Sequence, residues 1–327
     1  MNEQPATPAD AVWFAERVQR IVANVETIIR GKTDIVRLMV LSLAAEGHVL
    51  VDDVPGTGKT SLAKALASSI DGDMRRIQCT PDLLPTDVTG VKIWDPENRE
   101  FDFRPGAVFG NIVLADELNR ASPKTQSALL EVMEERQVTV EGTTYLVPRP
   151  FMVIATQNPV EHGGTYDLPE AQIDRFMMRL TLGYPDYESE EQIIASRAAG
   201  QSVQDLTSVV PADDITQMAQ IVRSVQLSSQ IVGYIVAIIS ATRGQQELRL
   251  GASTRAGVAL AAAAQAHAAA AGRPYVTPDD VKGLAPYVLT HRLLTRPEAE
   301  LGGADPRRIL DGILASVPVP GLRPAYR

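Results

Sequence analysis

The segment Asp53-Val54-Pro55-Gly56-Thr57-Gly58-Lys59-Thr60 joins an apolar run to a helical pattern over residues 61–69. Strand, glycine-containing loop and helix in that order suit a phosphate cradle. Gly56 and Gly58 let the backbone curl so that successive N–H groups converge on phosphate oxygens, and the helix start adds its positive end. Lys59 would reach the β- and γ-phosphates and the Thr60 hydroxyl would hold Mg²⁺, with Pro55, Thr57 and Ser61 completing the binding stretch. The generic pattern has glycine where Asp53 stands, a departure of little cost because the bends fall on Gly56 and Gly58. The bland alternative is a glycine-rich turn with a surface lysine. Electrostatics disfavours it, since a cation in a helix's first turn opposes the dipole unless an anion offsets it.

Residues 112–117 form an apolar run ending in two acids. Asp116 would support Mg²⁺ through its water shell, and Glu117 would polarise an attacking water. Strands often end in acids, so the signal gains weight only from lying about two βα units beyond the phosphate loop. The run 151–156 is followed by Gln157-Asn158, and ligands of such sheets gather at strand C-termini, so Asn158 would orient the water. Capping a turn before Pro159 is the alternative for Asn158, and the two roles can coexist. Arg255 follows Ser253-Thr254 at a helix start, again the wrong end for a cation with no anion to meet; a surface ion pair is its alternative. Arg175 sits beside Asp174, which leaves an intramolecular ion pair open. His48, His162, His267 and His291 are scattered without ligand spacing and are expected to be structural.

Elements must bring these residues together. Short apolar runs at 48–53, 74–79, 111–116, 151–156 and 178–183 alternate with helical patterns, as in a parallel sheet covered on both faces. An amphipathic helix over 9–30, stopping at Gly31, and a second over 34–46 precede them. Two hairpins interrupt the alternation: 91–94 with 100–104 around Asp95-Pro96-Glu97-Asn98, and 137–140 with 143–147 around Glu141-Gly142. Beyond Glu188 only helical patterns appear, near 188–200, 211–226, 228–242, 253–271 and 277–290. The last opens with Thr277 as N-cap and Pro278 at the first helical position. The expected organisation is an N-terminal helix and linker (1–33), an α/β core (34–186) and an all-helical lid domain (187–327).

Composition sets the bounds. The 327 residues carry a net charge of −9, 45% apolar and 22% charged residues, and a single cysteine, Cys79. That fits a soluble globular protein in a reducing compartment, and excludes an internal disulfide or a cysteine-based zinc cluster. A negative balance argues against a protein that coats nucleic acid. No run is long and apolar enough for membrane insertion, and Glu3, Asp10 and Glu16 do not suit a secretory leader, so a cytoplasmic location is expected.

The ordered motifs resemble those of the MoxR family of AAA+ ATPases over nearly the whole chain. They are Val54-Pro55-Gly56-Thr57-Gly58-Lys59-Thr60, Gln78-Cys79-Thr80-Pro81-Asp82-Leu83-Leu84-Pro85, Arg104-Pro105-Gly106, Ala115-Asp116-Glu117-Leu118-Asn119-Arg120-Ala121, Ala155-Thr156-Gln157-Asn158-Pro159, Leu168-Pro169-Glu170-Ala171-Gln172-Ile173-Asp174-Arg175-Phe176 and Gly251-Ala252-Ser253-Thr254-Arg255-Ala256. The resemblance implies an α/β P-loop AAA+ parallel-sheet core with helix-2 and pre-sensor-1 hairpin inserts, followed by the helical lid. It further implies ATP with Mg²⁺, a ring that is usually hexameric, Arg175 as arginine finger and Arg255 as the lid's sensor-2 arginine. Its members act as chaperones or maturation factors on client proteins, with partners carrying a von Willebrand factor A domain; such a domain would be a separate protein.

Two other classes compete with this reading. One is a nucleic-acid motor of the minichromosome-maintenance type, which shares the inserts. The hairpins hold Asp95, Glu97, Glu100, Asp102 and Glu141 against Lys92, Arg99 and Arg104, whereas a groove tracking phosphates should be rich in bases. The other is a metal-chelatase ATPase subunit, which only a partner would distinguish.

Overall fold

The computed structural model describes residues 5–54, 56–158, 166–200 and 202–321. Pro55 and His162 therefore lie outside the described residues. The chain opens with α1 (Pro8–Glu26) and α2 (Thr33–Ala44). α1 stops before the expected residue 30, because the chain turns after Glu26 and passes through Gly31 at φ +69°.

Runs without polar alternation become central strands. β1 (Val49–Asp52) leads through the glycine loop into α3 (Lys59–Ser69), then β2 (Met74–Gln78) and the short α4 (Pro85–Thr89). β3 (Gly90–Asp95) and β4 (Glu100–Pro105) form the first hairpin, followed by β5 (Ile112–Asp116) and α5 (Pro123–Glu135). β6 (Gln137–Val140) and β7 (Thr143–Leu146) form the second hairpin; β8 (Met152–Gln157), α6 (Glu170–Ile173), β9 (Met178–Leu180) and α7 (Tyr187–Ala198) follow. Glu141 and Gly142 both take positive φ, as the expected two-residue turn requires.

The spatial order of the five-stranded sheet is β2-β5-β8-β1-β9. β2/β5, β5/β8 and β8/β1 pair in parallel, with Gln78 level with Asp116 and Asp52 level with Gln157, so one row of strand ends shares an edge of the sheet. β5 is buried throughout, while β2 at the sheet margin buries only Ile77. On one sheet face Val113, Ala115, Val153 and Ala155 pack with Leu129, Leu130 and Met133 of α5 and with Phe176. Each large apolar side chain buried there stabilises the fold by about 1.5–3 kcal/mol. The two hairpins are joined by Phe103 stacked on Tyr145, with ring centroids 3.9 Å apart.

Val18–Phe176 and Leu180–Gln217 make one compact unit and the remaining described residues another. The second contains most of α8 (Ala212–Ser224), then α9 (Ser229–Arg243), β10 (Leu248–Leu250), α10 (Thr254–Ala270), α11 (Pro278–Leu289), β11 (Leu294–Thr295), α12 (Pro297–Leu301) and α13 (Pro306–Ser316). The lid is helical, with one correction to the expected all-helical pattern: β10 and β11 pair as an antiparallel ribbon. Strands of two or three residues are too short to show a period of two. The alanines of α10 are packing residues: Ala256, Ala263, Ala264, Ala266, Ala268 and Ala269 are all buried. Asp280 is 1% exposed and accepts from His267, Arg273 and Thr277, tying α10 to α11. Burial opposes its ionisation, yet these bonds hold its carboxyl well below the usual range.

Candidate functional site

The C-terminal ends of β1, β2, β5 and β8 open onto one cavity of about 460 Å³. The glycine loop and α3 contribute Gly56, Gly58, Lys59, Thr60 and Ser61; β5 and the residue after it contribute Asp116 and Glu117, and Asn158 follows β8. Eight of the residues singled out in the sequence thus share one wall. Thr57 turns back instead, its hydroxyl donating to the Val54 carbonyl at 3.3 Å. Arg175 pairs with Glu134 at the end of α5, 3.2 Å away, so the ion pair left open by the sequence exists with a different acid in reach. Arg255 belongs to the other compact unit, at the start of α10, which Ser253 caps through the Ala256 amide.

The loop is built for close approach. Gly56 (φ +88°) and Gly58 (φ +91°) adopt left-handed backbone, and nothing lies within 4 Å of where a Cβ would stand. Gly58 is the N-cap of α3 and no side chain caps it, so the first amides of the helix are left without a side-chain partner. The Lys59 ammonium donates to the carbonyls of Asp53 (2.9 Å) and Val54 (3.2 Å), which curls the loop around it. Asp53, at the position where the generic pattern has glycine, is 5% exposed and has a definite task. Its carboxylate accepts from the amides of Val54 (2.9 Å) and Gly183 (2.8 Å), fixing the loop to the segment beyond β9.

The acidic side is a hydrogen-bonded frame. The Thr156 hydroxyl donates to Asp116 Oδ1 and accepts from the Glu117 amide, each at 2.8 Å. Glu117 stands at φ +56°, ψ +52°, an unusual left-handed conformation for a non-glycine residue. Its Oε2 accepts from Arg120 (2.9 Å) and from Gln78 (3.4 Å). Arg76 donates to Asp116 Oδ2 at 2.6 Å and to Gln78 Oε1 at 2.7 Å. Arg76 escaped the sequence reading, and Gln78, Thr156 and Arg120 entered it only within family motifs, without the bonds they make here. The available signal was the Arg75-Arg76-Ile77-Gln78 pattern, in which a strand with one buried residue leaves polar side chains at the sheet margin.

Cys79, next to this frame, is no nucleophile: burial, reinforced by Asp116 and Glu117, pushes its thiol up to about 12. His48 is structural, donating from Nε2 to the Met133 carbonyl and accepting from the Val153 amide at Nδ1. For Mg²⁺, the donor set fits: a hydroxyl (Thr60) and a carboxylate (Asp116) on one cavity are hard oxygen donors. Among the described residues there is no cluster of three or more His, Cys, Asp or Glu that could hold a metal ion.

Residues 48–178 match the family model described as ATPase family associated with various cellular activities (AAA), and residues 240–313 match the AAA lid domain. The chain is 47% identical to the uncharacterised protein YeaC of Bacillus subtilis (strain 168), over 94% of this chain and 96% of that one. It is 39% identical to chaperone MoxR1 of Mycobacterium tuberculosis, over 96% of this chain and 86% of the relative. A crystal structure from Cytophaga hutchinsonii superimposes with a TM-score of 0.88 at 37% identity, covering 95% of this chain and 97% of that one.

Proposed function

Because the chain belongs to the MoxR family of AAA+ ATPases, we propose that it hydrolyses ATP to ADP and phosphate and uses the energy to remodel or mature other proteins. The observation that carries the chemistry is the single cavity shared by Lys59, Thr60, Asp116, Glu117 and Asn158. In this reading the loop amides and Lys59 bind the β- and γ-phosphates, Lys59 giving up two carbonyls for stronger, charge-assisted contacts. Thr60 and Asp116 hold Mg²⁺, which when bound neutralises charge developing on the phosphates. Glu117 takes the proton of the attacking water, and Asn158 orients that water.

Further roles follow from the family. Arg175 would leave Glu134 to reach a neighbour's γ-phosphate in a ring, expected to be hexameric, and Arg255 would sense nucleotide from the lid. A partner with a von Willebrand factor A domain and a cytoplasmic location belong to the same reading; among the described residues no helix is long and apolar enough to cross a membrane.

A protein client is favoured over nucleic acid by the first hairpin. It exposes Val91, Ile93, Trp94 and Phe101 among the acids Asp95, Glu97, Glu100 and Asp102 and the bases Lys92, Arg99 and Arg104, an apolar surface without the excess of bases that phosphates require, which suits polypeptide better. The test is direct. The purified chain should turn over Mg²⁺-ATP without stimulation by single-stranded DNA, and folded Lys59→Ala should bind no nucleotide. Normal ATP affinity in Lys59→Ala would refute the site, and salt-sensitive stimulation by DNA would refute the protein client.

A further inference from the structure

We propose that Arg76 is a resident counter-ion of Asp116 that is exchanged for the divalent cation when nucleotide loads, and so sets how tightly the site takes metal. This rests on the reading of Asp116 as the metal-side carboxylate. The geometry singles out one oxygen. Asp116 Oδ1 accepts the Thr156 hydroxyl at 2.8 Å, inside the sheet. Oδ2 is the oxygen that Thr156 leaves, and there the guanidinium of Arg76, which lines the same cavity as Asp116, donates at 2.6 Å. A cation or its bound water approaching Asp116 from the cavity meets a positive charge already in place, and two cations on one oxygen repel.

The pair is also built to exchange. Arg76 stands on the marginal strand β2, and its side chain is 47% exposed against 12% for Asp116. A half-exposed pair is weak, so the guanidinium can leave at little cost to the fold. Its second contact, Gln78 Oε1 at 2.7 Å, lies on the same strand and offers a partner after Asp116 is released. The displaced guanidinium remains on the wall of the cavity that Lys59 and the glycine loop also line, where phosphate oxygens would supply an anion. Nucleotide thereby brings both the metal and a new partner for Arg76. Metal alone must evict the arginine with only the neutral Gln78 amide, and no anion, to receive it, which makes metal binding dependent on nucleotide.

The experiment is a Mn²⁺ titration of the full chain by electron paramagnetic resonance, with and without a non-hydrolysable ATP analogue. Arg76→Met keeps the length and removes the charge, and should bind Mn²⁺ alone about 2- to 5-fold more tightly than the parent, while Arg76→Lys should return towards parental affinity. Unchanged or weaker Mn²⁺ binding in Arg76→Met, with native circular dichroism, overturns the exchange; so does a gain that Arg76→Lys retains in full. Should Arg76→Met fail to fold, Arg76→Gln is read the same way. Asp116→Asn separates the two layers. If it leaves Mn²⁺ binding with nucleotide intact, the metal role of Asp116 is wrong. If it abolishes that binding while Arg76→Met behaves as the parent, only the exchange is wrong.

Discussion

Thr156 donates its hydroxyl proton to Asp116 at 2.8 Å, and the same oxygen receives the Glu117 amide, so one fully buried side chain on β8 positions both acids at the end of β5. Thr156→Val keeps the shape and strips both bonds. A buried amide and a carboxylate oxygen are then unsatisfied, at a cost of about 1–3 kcal/mol. Urea unfolding should show that loss, ATP turnover should fall, and Thr156→Ser should restore most of both. Parental turnover in Thr156→Val would mean that the frame does not hold the acids in working geometry.

Glu117→Gln should bind Mg²⁺-ATP yet turn it over about 10²–10⁴-fold more slowly, because an amide cannot accept the proton of water. The amide can still meet Arg120 and Gln78, so the left-handed turn and the fold should persist. Nucleotide binding by fluorescence and phosphate release together check this. Turnover within a few-fold of the parent would remove Glu117 from the role of base.

Stability of the α/β unit should depend on His48. Its folded pKa is pushed down by burial to about 4, from 6.5 for the free side chain, with Arg136 adding to the shift. The folded state therefore binds fewer protons at intermediate pH. The contribution is fully present above about pH 6.5 and is lost as the pH falls towards 4. Between pH 6.5 and 5 the loss should be about 2 kcal/mol. Urea titrations at those two values should reveal it, and His48→Gln, whatever its baseline cost, should lack that part of the slope. An identical slope in the variant would assign the pH dependence to other groups.

How much of this was legible in the residues depends on the reach of each interaction. The strand ends and the phosphate loop were, since strand, glycines, Lys59 and Thr60 are consecutive and the chemistry is local. Asp53 read only as a tolerable departure, because its task depends on the Gly183 amide, which sheet topology alone brings near. Arg76 lies on a strand whose polar residues look merely exposed, and only the pairing of β2 beside β5 turns it towards Asp116. The ribbon of β10 and β11 was missed because runs that short carry no periodicity.

Arg175 provides the sharpest contrast between a local and a trans-acting role. Its guanidinium lies 3.2 Å from Glu134, with side-chain exposures of 31% and 38%. If that ion pair were its whole purpose, Arg175→Ala and Glu134→Ala should each cost about 0–1 kcal/mol of stability and leave turnover near normal. If Arg175 instead completes a neighbour's site, Arg175→Ala should lower turnover by about 10³–10⁵ while each subunit still binds ATP, and Glu134→Ala should leave turnover largely intact. Mixing sharpens the test. Rings that combine Arg175→Ala with Lys59→Ala subunits should recover some activity, because an intact loop and an intact arginine meet again at some interfaces. Silence in rings shown to be mixed would count against action in trans, and normal turnover by Arg175→Ala alone would move the search to Arg120 and Arg179.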